Sequence, residues 1–325
     1  MLDRRKALIA TAASLGAAVT GTAWAAPATT TRLLVGFPPG GTMDVLSRVV
    51  AQRLTSESAP VIVENKPGAG GRLAVVEVRN AAADGRSILM TADPILVIYP
   101  HVFKRIAYNT LTDITPVAPL ASEPCGLAVG PMVPDSVRTL ADFLAWCKRN
   151  PKDASYATAA AGTTMHFLGA VLARAAGTNL THIPHRGGAA AVQDVMGGQI
   201  ASTMTSLGQA LPFLAGGKLR MLAISSENRS ARLPNVPTFV ELGYRDVKAL
   251  VYYGAYVRSG TAPAMVQELH ARFTEVGRSP EMHAALDKLG LDGFQLDPAA
   301  FAARIRADHE RWGPIIKATG YSVDD

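Results

Sequence analysis

Short apolar runs alternate with amphipathic ones along most of this chain, and nearly every apolar run stops at glycine, proline or a hydroxyl residue. "TRLLVGF" reads as a strand, and "TMDVLSRVVAQRL" as a helix with Leu46, Val49, Val50 and Leu54 on one face. "APVIVEN" is a strand, "LAVVEVRNAA" a helix after the glycines of "KPGAGG", and "RSILMTAD" a strand. This is the βαβ rhythm, which demands a largely parallel sheet covered by helices on both faces, an α/β fold.

A second set follows "TDITPVAPLASE", which reads as a connection. It holds the strands "CGLAVG", "ASYATA", "THIPH", "IASTMTS" and "LRMLAISS", with helices "TLADFLAWCKRN", "MHFLGAVLARAAG" and "AAAVQDVMGG" between them. Thr139 suits an N-cap and Pro151 a stop. "ALVYYGAYVRSG" is extended, and two C-terminal helices follow, one after Pro263 and one through "PAAFAARIRADHERWGPIIKATG". No low-complexity linker separates the sets. The expectation is therefore two lobes, residues 26–122 with 249–325 and residues 123–248. Two strand-like crossovers, near Ala118–Ser122 and Ala249–Tyr256, would form the hinge. A chain of 325 residues that is 48% hydrophobic can fill such a core.

Residues 1–25 do not fit this rhythm. Arg4, Arg5 and Lys6 precede an uncharged Ala/Thr-rich run ending in Ala23-Trp24-Ala25, an export signal cut near Ala25. The arginine pair allows a twin-arginine signal and the rest an ordinary secretory one. Removing it takes away three positive charges and one negative, so the net charge of +6 falls to +4. That is too mild and too spread for nucleic acid, and leans towards a small anionic ligand. Cys125 and Cys147 are the two cysteines, and in an oxidising compartment they either pair or stay as thiols. The histidines are scattered without metal-ligand spacing, and no cofactor motif is present: neither G-x-G-x-x-G after a strand nor G-K-[ST].

The strand-to-helix turns carry the chemistry. In "FPPGGTMD", Pro38 and Pro39 end the strand ladder, while Gly40 and Gly41 bare the backbone. Thr42 is expected as N-cap, with Asp44 in the first helical turn. Free N–H groups at a helix start bind anions. "ATAAAGTTMHF" offers Ala161, Gly162, Thr163 and Thr164, with His166 beyond. "PHRGGAAAV" offers Arg186, Gly187, Gly188 and Ala189. Turns from opposing lobes would face each other across a cleft and clamp a carboxylate. The "KPGAGG" turn suits packing better than binding. No G-x-S-x-G elbow or other nucleophile stands out. A His166 pair with Asp44 or Asp93 is the one enzyme-like alternative.

The segments "VGFPPGGTMDVLSRVVAQRL", "VIVENKPGAGGRLAV", "ADGRSILM", "THIPHRGGAAAVQDVMGGQI" and "GKLRMLAISSENRSARLPNVPTFVELGY" resemble, in order and spacing, the Bug family of extracytoplasmic solute receptors of tripartite tricarboxylate transporters. The resemblance runs from Thr31 to about Tyr321. It implies a two-lobed, type II periplasmic binding protein, non-catalytic and monomeric, that closes on a small organic carboxylate and docks on a membrane permease or a sensor protein. It implies a first anchor at Phe37 and Gly40, Gly41, Thr42 and Asp44. The second-lobe contacts are Ala161, Gly162, Thr163, Thr164, His166, Arg186, Gly187, Gly188 and Ala189. The chain departs from the family pattern at the run Thr91–Ile95, which brings in Asp93. Thr205 stands where an aspartate is common, and His185 where a tyrosine often precedes the turn. Those positions read the far end of the ligand.

Overall fold

The computed structural model describes residues 30–324, so the export signal expected over residues 1–25 lies outside the described residues. In chain order the first elements are β1 (Thr31–Val35), α1 (Thr42–Leu54), β2 (Val61–Asn65), α2 (Arg72–Asn80) and β3 (Ser87–Ala92). Three single turns follow, α3 (Pro94–Val97), α4 (Tyr99–Val102) and α5 (Thr110–Asp113), and then the long β4 (Ile114–Val129). Next come α6 (Leu140–Arg149), β5 (Ser155–Thr158), α7 (Thr164–Ala175), β6 (Thr181–Pro184), α8 (Gly188–Met196), β7 (Ser202–Ser206), α9 (Leu207–Leu214) and β8 (Arg220–Ile224). The chain closes with β9 (Leu250–Arg258), α10 (Pro263–Gly277), α11 (Pro280–Leu289), β10 (Asp292–Gly293) and α12 (Pro298–Thr319).

Strand pairing shows how one chain makes two facing groups of loops. β2, β1 and β3 are parallel, and β9 joins β3 antiparallel. β6, β5 and β7 form a second parallel group. β4 belongs to both: its first half pairs with β9 and its second half with β7 and β8, all antiparallel. The strand-like crossover expected near Ala118–Ser122 is thus part of a 16-residue strand that extends it in both directions. Pro116 and Pro119 obscured it, because proline cannot donate to a ladder. The strand admits them beside register shifts at Pro116/Ala118 and Pro119/Ala121.

Helices cover both faces. α1, α10 and α11 pack on Leu33, Val35, Ile88 and Met90. The opposite face meets a larger core in which Leu34 and Leu89 are continuous with Phe167 of α7 and with Phe301, Ile305 and Trp312 of α12. α12 therefore bridges both strand groups. The helix α11 was not expected from sequence, although its signals are present. Ser279 caps it by accepting from the Met282 N–H, Pro280 opens it, and Gly290 ends it at φ +69°. Thr139 caps α6 in a full capping box with Asp142, as its position suggests. Thr42 does not cap α1: Gly41 holds the cap position, and no side chain bonds there. Cys125 and Cys147 are both buried free thiols.

Candidate functional site

The site follows from where strands end. Ala92, closing β3, pairs with Tyr253, and Tyr253 pairs with Ala121 of β4. Ser206, closing β7, pairs with Cys125 of β4. Carboxyl ends from both strand groups therefore meet β4 between residues 121 and 125. Helices follow the carboxyl ends of the parallel strands in both groups, α1 after β1, α7 after β5, α8 after β6 and α9 after β7, so their N-termini lie at the strand ends that face this midpoint, and such ends with unpaired N–H groups favour anions.

The turn after β1 is braced from inside. Asp44 is buried at 2% exposure. Its carboxylate accepts the Gly40 N–H at 2.9 Å, Asn65 Nδ2 at 2.9 Å, and Arg48 Nε and Nη2 at 2.8 and 3.0 Å. Burial alone would push this carboxyl up. The bonds from Arg48, Gly40 and Asn65 outweigh it and hold the group below the usual aspartate value. Asn65 also donates to Phe37 O at 3.0 Å. The Phe37 ring lies against Gly71, where an added Cβ would sit 3.2 Å from it. Behind it, a Cβ on Gly36 would fall 2.6 Å from Gly71 Cα. The "KPGAGG" glycines thus let two turns meet backbone to backbone.

The second turn is braced in the same way. His166 Nδ1 accepts the Gly162 N–H at 3.2 Å, and Tyr156 Oη donates to His166 O at 2.8 Å. The His166 ring stacks on His182 at 4.0 Å and meets Tyr321 edge-on at 4.9 Å. Burial pulls the His166 imidazole down to about 4, and burial with neighbouring His166 does the same to His182. Thr163 caps α7 by accepting the His166 N–H. A Cβ on Gly162 would touch Tyr321 and Val102 at 3.4 Å, so residues from the first strand group already lean on this turn. In the third turn the Gly187 N–H donates to Ala159 O at 2.8 Å, Gly188 is covered by the Gln209 side chain, and Arg186 and Ala189 are exposed. Thr205 Oγ1 donates to that same Gln209 at 3.2 Å.

These contacts occupy part of the expected donor set. The amides of Gly40, Gly162 and Gly187 serve the protein itself. The amides left without a protein acceptor among the described residues lie one step on, in the first helical turns: Gly41 to Met43, Thr164 to Met165, and Gly188 to Ala190. Asp44 and His166 brace the turns, and Ala161 stays half-buried on its loop. Asp93 moves furthest from its expected role. It is 2% exposed, its Oδ1 accepts the Tyr252 N–H at 2.9 Å, and its own N–H returns a bond to Tyr252 O. Burial, with Asp308 nearby, pushes its carboxyl far above the usual range. It ties the end of β3 to β9. Neither carboxylate contacts His166 among the described residues.

Two features escaped the sequence. Glu123 sits at the β4 midpoint, 5% exposed, accepting Tyr253 Oη at 2.7 Å and the Gly208 N–H at 3.4 Å. Burial pushes its carboxyl up. A lone acid inside the apolar run "PLASEPCGLAV" was the available signal. The hydroxyls of Thr91, next to last in β3, and Thr164, opening α7, are buried without a partner among the described residues.

A family model described as "Tripartite tricarboxylate transporter family receptor" matches residues 46–321. The chain belongs to this family. The family model begins just past the first turn, so residues 37–44 lie outside the matched span. Among curated relatives of these receptors, Protein BugT of Bordetella pertussis is 31% identical over 296 residues, covering 90% of each chain. Among solved receptor structures, an R. palustris protein with adipate aligns at TM-score 0.77 and 26% identity, over 91% of this chain and 99% of that one. MatC from Rhodopseudomonas palustris with bound malate aligns at TM-score 0.73 and 25% identity, over 90% and 100%. The fold is that of these periplasmic binding proteins.

Proposed function

We propose that this receptor works in the periplasm, where it captures a small organic carboxylate between its two lobes and delivers it to the membrane subunits of a tripartite tricarboxylate-type transporter. The lobes are residues 26–122 with 249–325, and residues 123–248. One observation carries the reading: strands of both groups end where β3 and β7 meet β4 at residues 121–125, and the helices that follow them leave their first-turn amides unspent. Gly41 to Met43 grip one carboxylate, and Thr164, Met165 and Gly188 to Ala190 close on it from the other lobe. The buried Thr91 and Thr164 hydroxyls add donors for polar groups on the ligand. Arg186, exposed beside the third turn, supplies a mobile positive charge. Relatives solved with adipate and malate fit a dicarboxylate. Closure requires higher affinity for the closed state, which contacts from both lobes provide.

The test is a thermal-shift panel of adipate, malate, citrate and benzoate against glucose and Mg²⁺. At one hundred times its dissociation constant a ligand stabilises by about 2.7 kcal/mol, which for a chain of this size raises Tm by about 4 °C. The bound compound is recovered chemically unchanged after prolonged incubation. Shifts from glucose or Mg²⁺ alone, or conversion of the compound, would reject the reading.

A further inference from the structure

A cavity of about 610 Å³ opens at the back of the crossovers, away from the turns that form the proposed cleft. Its walls come from Ser122 and Pro124 on β4, from Lys248 to Leu250 entering β9, from the Ser225–Ala231 loop after β8, and from α12. Both strand groups therefore contribute. The rim charges are balanced: Lys248 pairs with Glu227 at 2.9 Å, Arg229 with Glu241 at 2.9 Å, and Asp292 with Arg232 at 3.3 Å.

The floor is not balanced. Arg304 and Arg311 both face one carboxylate, Asp308, at 2.5 and 3.9 Å. Arg304 takes most of it. Among the described residues, Arg311 makes a single hydrogen bond, from Nη1 to Lys248 O at 2.7 Å, and rests its guanidinium 4.5 Å from the Trp312 ring. Its side chain lines this cavity and also the neighbouring one beside α7. Ser226 lines the same wall; its hydroxyl has no partner among the described residues and is closed to solvent, so it reaches an occupant only by rotating about its Cα–Cβ bond. A spare guanidinium fork and an unsatisfied hydroxyl beside a polar void match an oxyanion, since Arg donors engage carboxylate and phosphate in parallel pairs.

We propose that this cavity is a second anion site, held by Arg311 and Ser226, whose occupant is a small oxyanion, either phosphate or a free carboxylate. The site is independent of the cleft. Because its walls belong to both strand groups, an occupant favours the hinge angle that brings those walls together. Any effect on cleft affinity is then reciprocal.

Trp312 makes the site readable. In the mature Trp146→Phe protein it is the one tryptophan left, because Trp24 leaves with the export signal. Titrating inorganic phosphate or succinate at constant ionic strength, with chloride as counterweight, should change its fluorescence saturably. A phosphate response assigns an inorganic occupant, and a succinate response alone an organic one. In Arg311→Gln the midpoint should rise at least tenfold, the loss expected for one charge-assisted contact. Ser226→Ala should raise it severalfold. Arg311→Lys retains the charge but not the fork, and should show an intermediate rise. It also serves if the glutamine variant melts early. No saturable response to either anion, or a response whose midpoint is the same in the Arg311→Lys and Ser226→Ala proteins, overturns the proposal. Survival of a succinate response in those variants would assign it to the cleft instead, and equally ends the case for this site.

Discussion

Replacing Asp44 by alanine separates a brace from a ligand contact. The carboxylate loses four hydrogen bonds, but they are not equal. Arg48 is 56% exposed at its side chain, so solvent screens that ion pair and it contributes little. The bonds from Gly40 and Asn65 end on a buried charge, where each is worth about 1.5–3 kcal/mol. Water can replace the partner of exposed Gly40, which trims its share. The net cost is about 2–4 kcal/mol, or a fall in ligand-free Tm of about 3–6 °C. pH supplies a second signature. A carboxyl held below its ordinary value stabilises the fold fully above the unfolded value near 3.8, and that contribution is lost as pH falls through the lower folded value. Wild type should therefore lose an acid-sensitive increment that Asp44→Ala lacks. Differential scanning fluorimetry from pH 2 to 7 measures both effects. An unchanged ligand-free Tm, with only the ligand-induced shift lost, would refute the brace and make Asp44 a direct contact.

Three further outcomes can be checked together. Gly36→Ala puts a Cβ 2.6 Å from Gly71 Cα, so urea unfolding should show a loss of more than about 2 kcal/mol. An unchanged midpoint would mean the two turns can separate freely. His166 and His182 have folded values near 4, below the unfolded value near 6.5, so the unfolded chain binds more protons in between. Tm should decline as pH falls from 6.5 to 4, and His166→Gln should flatten that slope. Unreduced protein denatured in guanidinium should titrate with two thiols per chain, slowly reacting when native because burial pushes Cys147 up to about 12 and Cys125 well above the usual thiol value. A count below two would mean a disulfide.

The βαβ rhythm made most strands and helices legible, because apolar runs and caps such as Thr139 act locally. The sequence was misread where tertiary pairing overrode local signals. β4 contains prolines that argue against a strand in isolation, yet bulges and antiparallel neighbours on both edges hold it extended. The site was half legible. The turns were recognisable by their glycines, but which amides stay open depends on side chains that fold back. Asp44 and His166 are polar residues within reach of their own loops, and they satisfy the donors nearest to them. Asp93 looks like a pocket residue from its place after a strand, and only the pairing of β3 with β9 shows that it faces a backbone N–H. Glu123 needed the crossing point itself to acquire meaning.

That crossing point bears on how such a protein moves. β4 runs unbroken through both strand groups, pairing with β9 along its first half and with β7 and β8 along its second. Any change in the angle between the two groups must be absorbed as torsion along a hydrogen-bonded ribbon, most easily at its proline-bearing irregularities. Resistance to motion is then spread over several residues, and stiffening Pro116–Ala121 would be felt as slower ligand exchange rather than as a missing contact.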